Sequence, residues 1–378
     1  MSAPARATPD ERERLLADFV RLCEIESPSR RERGVADAVA GELGTLGLEV
    51  VEDSSATETG ADAGNLLARV AGSDPGAPTL LLCAHMDTVP LSAPVEVVRD
   101  DGVLHNRHEA ILGADNKAAV AVLLAVARRL AREPARAGVE LLFTTCEEQA
   151  LAGAKAFDRS RLRAEYGFVF DHASPVGDLI VAAPTYYRVE ATFRGQAAHA
   201  GLRPEAGRSA VVAAARAVTR LPLGRLDDGT TANVGRIDGG VAANVVPERC
   251  RIELEARSLE RERAGALVTE IVDVLTDAAG EMECDVETEV QEGFRGYRLP
   301  RTSPPVELAA GALAALGIHP TFRSTAAGSD ANVLNARGIP CVNVADGTQS
   351  NHRPDERVSV ASLERVLDVA LGLVARAG

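Results

Sequence analysis

The stretch Thr79-Leu-Leu-Leu-Cys-Ala-His85-Met-Asp87 decides how this chain reads, because an apolar run, Thr79–Cys83, passes almost directly into a histidine and then an aspartate. Three further segments repeat the arrangement. Val139–Thr144 leads to Glu147-Glu148, Tyr166–Phe170 leads to Asp171-His172, and Ile339–Val344 leads, eight residues on, to His352. Continuous apolar runs of this length fit strands buried on both faces of a parallel sheet. Ligands of open α/β sheets bind outside the carboxyl ends of the strands, so these four ends are expected to converge in one crevice. A fifth acidic group, Asp115, opens a helix expected to reach about Arg132, which is rich in Ala, Val and Leu nearly all round and therefore expected to be buried.

Outward from these segments, Thr8-Pro9-Asp10-Glu11 reads as a capping box that starts a helix over Pro9 to about Glu24. A second helix is expected from about Arg31 to Leu46, then strands near Glu49 and Asn65, and a hairpin around Asp100-Asp101-Gly102. Strands alternating with helices imply an α/β fold, a mostly parallel mixed sheet flanked by helices. From about Tyr186 the pattern changes. Arg188-Val-Glu-Ala-Thr-Phe-Arg194 and Arg251-Ile-Glu-Leu-Glu-Ala-Arg257 alternate strictly, as half-exposed antiparallel strands do. With helices near Gly207–Arg220 and Glu260–Ala279 and a strand near Glu283–Val290, they describe an α+β module inserted over 186–298, between 1–185 and 299–378 of the larger domain. Its expected borders are Pro184-Thr185 and the loop Gly293–Pro305. The chain is expected to end in a helix from about Ser359.

Composition narrows the function. A length of 378 residues fits two domains, and 55 acidic against 41 basic residues leave a net charge of -14, which repels nucleic acid and anionic membranes at long range. The six cysteines form no Cys-x-x-Cys pair and most lie in apolar runs, as reduced cytoplasmic thiols do. Met1–Asp10 has no apolar core of the kind a signal peptide needs, and the longest apolar stretch, Ala118–Ala127, is about half of a bilayer crossing. A cytoplasmic protein is expected.

The strand ends carry the chemistry. In His85-x-Asp87 the pair either caps a strand or forms a metal-binding histidine whose other ring N–H is accepted by the aspartate. Asp115 is either an N-cap or a carboxylate with one oxygen for each of two cations. Glu147-Glu148 is harder to explain structurally, since adjacent carboxylates after a buried strand repel each other unless a cation offsets them. One can bind metal while the other acts as a general base. Asp171 is a further acidic strand end, and His352 lies in the loop Ser350-Asn-His-Arg-Pro354. Two imidazoles with several carboxylates suit two zinc ions, or cobalt or manganese, and argue against calcium, which prefers oxygen ligands.

His85-Met-Asp-Thr-Val-Pro90, Leu112-Gly-Ala-Asp-Asn-Lys117, Cys146-Glu-Glu148, Ala197-Ala-His-Ala-Gly201, Gly239-Gly-Val-Ala-Ala-Asn-Val-Val-Pro247 and Gly328-Ser-Asp-Ala331 occur in the order seen in the dinuclear zinc exopeptidases. The chain resembles that family, which includes peptidase T, carboxypeptidase G, aminoacylase and succinyl-diaminopimelate desuccinylase, from about Leu15 to its last residue. Ala206-Gly-Arg-Ser-Ala210 and Thr231-Ala-Asn-Val-Gly235 look most like the peptidase T-like branch. The resemblance implies that His85 and Asp171 hold one zinc, Glu148 and His352 the other, and Asp115 bridges them. It makes Asp87 the support of His85 and Glu147 the general base. The inserted module becomes a lid and dimerisation domain, from which His199 enters the partner subunit's site. Asn244, Arg257 and the loop Gly328–Asp330, Gly328 and Ser329 above all, match substrate-contacting positions, with Arg257 suited to a carboxylate. His108 and His172 stand close enough in sequence to compete as ligands. The implied activity is hydrolysis of an amide bond in a small peptide. The alternatives are an N-acyl amino acid deacylase or carboxypeptidase of the same family, and a catalytically silent metal- or peptide-binding protein.

Overall fold

The computed structural model describes residues 5–377, so residues 1–4 of the Met1–Asp10 stretch lie outside it. The chain divides into two compact units, one formed by residues 1–181, 298–324 and 329–378, the other by Ala182–Tyr297 with Thr325–Gly328. The second unit therefore takes in a short strap that the sequence assigned to the larger domain. Within that unit Arg257 Nη1 donates to the Ala326 carbonyl at 2.9 Å, and the Phe294 ring lies so close to Gly328 that a Cβ there would meet it at 2.4 Å.

The first unit adopts the expected α/β fold. Its four central strands are parallel neighbours in the order Gly138–Thr144, Thr79–His85, Tyr166–Phe170, Cys341–Val344. These are the four apolar runs, buried on both faces and all pointing the same way. Antiparallel strands extend the sheet on both sides, Leu66–Val70 and Val50–Glu52 beyond Gly138–Thr144, and Asp178–Ala183 beyond Cys341–Val344. The fourth run enters the sheet later than expected, at Cys341 rather than Ile339. Pro340 has no N–H to give to a ladder, although its carbonyl accepts from Gly167.

The helix Ala114–Arg132 is buried along most of its length and packs on the Thr79–His85 strand, on the first helix, Pro9–Cys23, and on the last, Val360–Arg376. The Thr8 and Glu11 capping box is formed as expected. A small antiparallel sheet joins the hairpin strands Val97–Asp100 and Val103–Asn106 to Arg357–Ser359 and Thr348–Gln349, and the last two flank the loop that carries His352. The second unit is a five-stranded antiparallel sheet in the order Gly224–Asp227, Thr230–Gly239, Arg249–Ser258, Thr185–Arg194, Asp285–Phe294, and it has its own apolar core with the helices Ala210–Arg220 and Arg261–Glu281. The strands Gly224–Asp227 and Thr230–Gly239 were not expected. From Gly235 onward the second of them is exposed on both faces, so its residues show no alternation to read. No helix among the described residues is long and apolar enough to cross a membrane.

Gly167 sits in the middle of the parallel sheet, where an added Cβ would meet Leu81 Cβ at 2.7 Å and Cys341 Sγ at 3.1 Å. Gly167→Ala is therefore expected to cost about 1–3 kcal/mol, read as a lower urea midpoint at unchanged slope. A midpoint equal to wild type would show that the three strands can part freely at this level.

Candidate metal centre and active site

Each acidic or histidine group at the carboxyl ends of the parallel strands is aimed by a specific local structure. His85 is the last residue of its strand, and its ring is buried. Its Nδ1 lies 3.0 Å from the main-chain carbonyl of Asp87 and 3.3 Å from Asp87 Oδ1. The carbonyl is thus the nearer partner, where the sequence suggested the carboxylate. The Asp87 carboxylate is also engaged elsewhere, accepting the N–H groups of Glu147 at 2.9 Å and Glu148 at 3.2 Å and the Ser29 hydroxyl at 2.6 Å. It holds the turn that bears the paired glutamates. That turn begins at Cys146, whose φ of 49° is in the left-handed region unfavourable to a side chain, and whose N–H is taken by the buried Glu32 at 3.0 Å.

Asp115 lies just inside the helix start, where it and Asn116 depart from helical angles; the peptide between them is cis. Its two oxygens face opposite ways, Oδ1 lying 3.1 Å from His85 Nε2 and Oδ2 lying 3.2 Å from His352 Nε2. Asn351 Nδ2 also donates to Oδ2, at 3.0 Å. Beside His85, Asp171 Oδ1 is 3.6 Å from Nε2, and beside His352, Glu148 Oε1 is 2.7 Å from Nε2. His352 has a φ of 65°, a second left-handed side-chain residue at the site. Donor atoms of His85, Asp115 and Asp171 gather within 4.8 Å of one another, as do those of Asp115, Glu148 and His352, and those of His85, Glu147 and Glu148. His108 and His172 fall outside these groups; His108 faces Glu96 at 3.6 Å, and His172 Nδ1 shares a hydrogen bond with Ser174.

The electrostatics follow from burial and crowding. Burial, and then the Asp171 charge, push the Glu147 carboxyl well above the usual range. Burial likewise takes Asp171 up to about 7, against the opposing pull of His85. For Asp115 burial is outweighed by hydrogen bonds from His352 and His85, and its pKa falls. Hydrogen bonds to Asp115 and Glu148 lift His352 to about 10, and His85 is raised as well because its carboxylate partners outweigh burial. Histidine nitrogens with carboxylate oxygens about 3–3.6 Å apart match donors around a cation with bonds near 2.0–2.2 Å, so this donor set fits a transition metal.

Several supports were not anticipated. Asn343, within the strand Cys341–Val344, accepts the Asp171 N–H at 3.0 Å and donates to the Asp171 carbonyl at 2.8 Å and to Ser329 Oγ at 3.1 Å. A polar residue inside an apolar run was the available signal, since a buried amide must find partners. Asp330, which the sequence resemblance placed in the substrate-contacting loop Gly328–Asp330, is buried and accepts the Thr144 hydroxyl at 2.5 Å, a supporting bond that reading did not include. Glu356 accepts three main-chain N–H groups of the Asp115 turn, and its setting in Asp355-Glu-Arg357 looks solvated in the sequence. Among the remaining expected residues, His199 and Asn244 are exposed neighbours in the second unit, where Ala200 N donates to the Asn244 carbonyl at 3.0 Å. His199 Nδ1 accepts from the N–H groups of Gly201 and Leu202, both at 3.2 Å. Arg257 donates to Ala326 and Glu255 and stacks over the Tyr186 ring at 4.8 Å.

A parallel-rich sheet whose strand ends bring histidines and carboxylates together fits a metal-binding enzyme of the α/β class. Comparison with known proteins gives the particular family. Residues 81–376 match peptidase family M20/M25/M40. The chain is 36% identical over 365 residues to an uncharacterized Bacillus subtilis protein, YqjE, covering 96% of this chain and 98% of that one. It is 26% identical over 272 residues to peptidase T of Serratia proteamaculans, covering 71% of this chain and 66% of that one. Among solved structures, the Bacillus cereus aminopeptidase PepT shares 36% identity with a TM-score of 0.89, covering 97% of this chain and 98% of that one. A Staphylococcus aureus tripeptidase shares 32% identity with a TM-score of 0.92, again covering 97% and 98%. The chain therefore belongs to peptidase family M20/M25/M40, in its peptidase T-like branch, and is a metal-dependent hydrolase.

Metal ligation needs neutral imidazole and ionised carboxylate. In the metal-free protein His352, at about 10, is charged at neutral pH, and burial and the Asp171 charge hold the Glu147 carboxyl above its ordinary range. The charged His352 stabilises the metal-free fold fully below its ordinary pKa of 6.5, and that contribution disappears as pH rises through about 10. Metal binding is expected to release protons near neutral pH and to tighten as pH rises. Calorimetric titration in two buffers of different protonation enthalpy measures this; heats independent of buffer would mean that the imidazoles are already neutral.

Proposed function

We propose that this chain is a peptidase T-like aminopeptidase that hydrolyses small peptides with two zinc ions, His85 and Asp171 holding one, Glu148 and His352 the other, and Asp115 both. The observation that carries the reading is the Asp115 carboxylate, whose two oxygens each face a different imidazole. Nitrogen and oxygen donors of this kind favour zinc, with cobalt or manganese as substitutes. When bound, the ions supply Lewis acidity to the attacking water and to the scissile carbonyl oxygen.

The protein's own groups do the rest. Glu147, pushed upward by burial, is a strong proton acceptor once ionised; it takes the proton of the attacking water and passes it to the leaving amine. Asp87 keeps Glu147 in place through its main-chain N–H, and fixes the His85 ring. The two N–H groups donating to His199 Nδ1 make Nε2 the protonated nitrogen, so the ring can donate to the oxyanion of a partner subunit's substrate in a homodimer formed through the second unit. Leu202 and Val241, 76% and 88% exposed, give that unit apolar surface for such a contact. Asn244, Arg257, Gly328 and Ser329 are the proposed substrate contacts. The compartment is the cytoplasm, in keeping with six buried and unpaired cysteines.

The test is hydrolysis of unblocked di- and tripeptides against N-acetylated amino acids, with metal measured per chain. Two zinc per chain and preference for unblocked peptides are expected. Glu147→Ala is expected to lower kcat by about 10²–10⁴-fold at unchanged metal content. Preference for the acetylated set would make the protein a deacylase, a demand for a free C-terminal carboxylate would make it a carboxypeptidase, and full activity in the variant would remove Glu147 from the chemistry.

A further inference from the structure

Glu356 is 1% exposed and has no place in the ligand set or the proton transfers. Both of its oxygens are nevertheless committed to one turn. Oε2 accepts the N–H groups of Leu112 and Gly113, each at 2.8 Å, and Oε1 accepts that of Asp115 at 2.9 Å. This turn is irregular. Gly113 has a φ of 74°, and Asp115 and Asn116 lie outside helical angles, so regular helix does not by itself set the backbone that carries the Asp115 side chain. The other end of the connection is equally placed. Glu356 follows His352 by four residues and immediately precedes the strand Arg357–Ser359, which is anchored on Val103–Asn106 by the pairing of Arg357 with His105.

We infer that Glu356 is a positioning residue that ties the Asp115 turn to the His352 loop and so sets the separation of two metal-binding side chains before any metal arrives. The inference rests on the ligand assignment proposed above. Burial takes the Glu356 carboxyl up to about 7, against the pull of the three N–H groups it accepts; in its ionised form it is acceptor only and receives all three without offering a proton. Glutamine has the same length but replaces one oxygen by a donor, leaving at least one of the three N–H groups facing an N–H. The Asp115 backbone is then no longer held at all three N–H groups, and Asn351 Nδ2 alone is left beside the imidazoles to restrain the carboxylate.

A purely structural role is separated from this one by a second buried carboxylate. Glu140 is also 1% exposed and also captures turn N–H groups, those of Arg163 at 2.8 Å and Ala164 at 2.9 Å, but it lies near the opposite end of its strand from Glu147. The experiment measures zinc affinity by chelator competition for wild type, Glu356→Gln and Glu140→Gln, with amide hydrogen exchange on the metal-free wild type. Glu356→Gln is expected to bind zinc about 10–100-fold more weakly, the usual cost of losing a group that orients a ligand, while Glu140→Gln binds as wild type. The amides of Leu112, Gly113 and Asp115 are expected to be protected already without metal. Equal affinities in the two variants, or amides that become protected only when zinc is added, would overturn the inference. If Glu356→Gln does not fold, the exchange measurement on wild type decides alone. A wild type that binds no zinc would instead remove the metal assignment, and the exchange pattern would still report whether Glu356 holds the turn.

Discussion

Crowding of negative charge at one end of a buried sheet is the constraint around which the first unit is organised. Asp87, Asp115, Glu147, Glu148, Asp171 and Asp330 all stand at or near the carboxyl ends of parallel strands, and His85 and His352 are the imidazoles set among them. In water such groups would separate; here burial prevents it, and their pKa values record the cost, Asp171 rising to about 7 and Asp330 to about 6. Metal ions bound by these groups would remove most of this repulsion and so link binding to folding at this edge. Charge crowding also explains why the supporting partners are so often main-chain N–H groups. They offset carboxylate charge without adding side chains to an already filled space, as Asp87 does with Glu147 and Glu148 and Glu356 with the Asp115 turn.

The gathering of histidines and carboxylates at the strand ends was legible because of the way buried strands must read. A strand buried on both faces must be apolar throughout, so the first charged or imidazole group after the run marks the place where the chain leaves the sheet. Thr79–Cys83 before His85 and Tyr166–Phe170 before Asp171 show this directly. The supports were not legible in the same way. Glu356 acts on amides more than two hundred positions away, and nothing within Asp355-Glu-Arg357 distinguishes it from a solvated charge. Asn343 was more readable, as an amide inside an apolar strand. The nearer partner of His85 Nδ1, a carbonyl in its own backbone, is invisible to any reading of side-chain types.

Backbone irregularity collects where side chains must be aimed. Cys146 and His352 occupy the left-handed region, and Asp115 breaks the helical pattern one residue after Ala114. The two left-handed residues each cost conformational energy of order 1–3 kcal/mol. Buried carboxylates hold two of these turns, Glu32 on the Cys146 N–H and Glu356 on the Asp115 N–H. The two residues after Asp115 extend this anchoring. Asn116 Nδ2 donates to the Phe170 carbonyl at 2.8 Å, at the end of the strand that delivers Asp171, and the buried Lys117 Nζ donates to the Ile25 carbonyl at 3.1 Å beyond the first helix. Asp115-Asn-Lys117 thus joins the candidate metal centre, the central sheet and the first helix within three consecutive residues.

That arrangement gives the buried helix Ala114–Arg132 a role beyond filling the core. Its body is nearly all Ala, Val and Leu, packs on the Thr79–His85 strand and two other helices, and is unable to shift without opening a cavity. A helix so confined makes its first residues a fixed reference for a side chain that faces both imidazoles. The strand ends, set by ladder register, are the second reference: His85 pairs in register with Thr144, two residues before the turn that carries Glu147 and Glu148. The His352 loop has neither kind of support in its own residues, since Ser350 and His352 have positive φ and His352 is exposed. It must borrow rigidity from the strands that flank it and from the carboxylate of Glu356. Of the side chains proposed as ligands, His352 is therefore the one whose geometry depends most on residues outside the proposed ligand set.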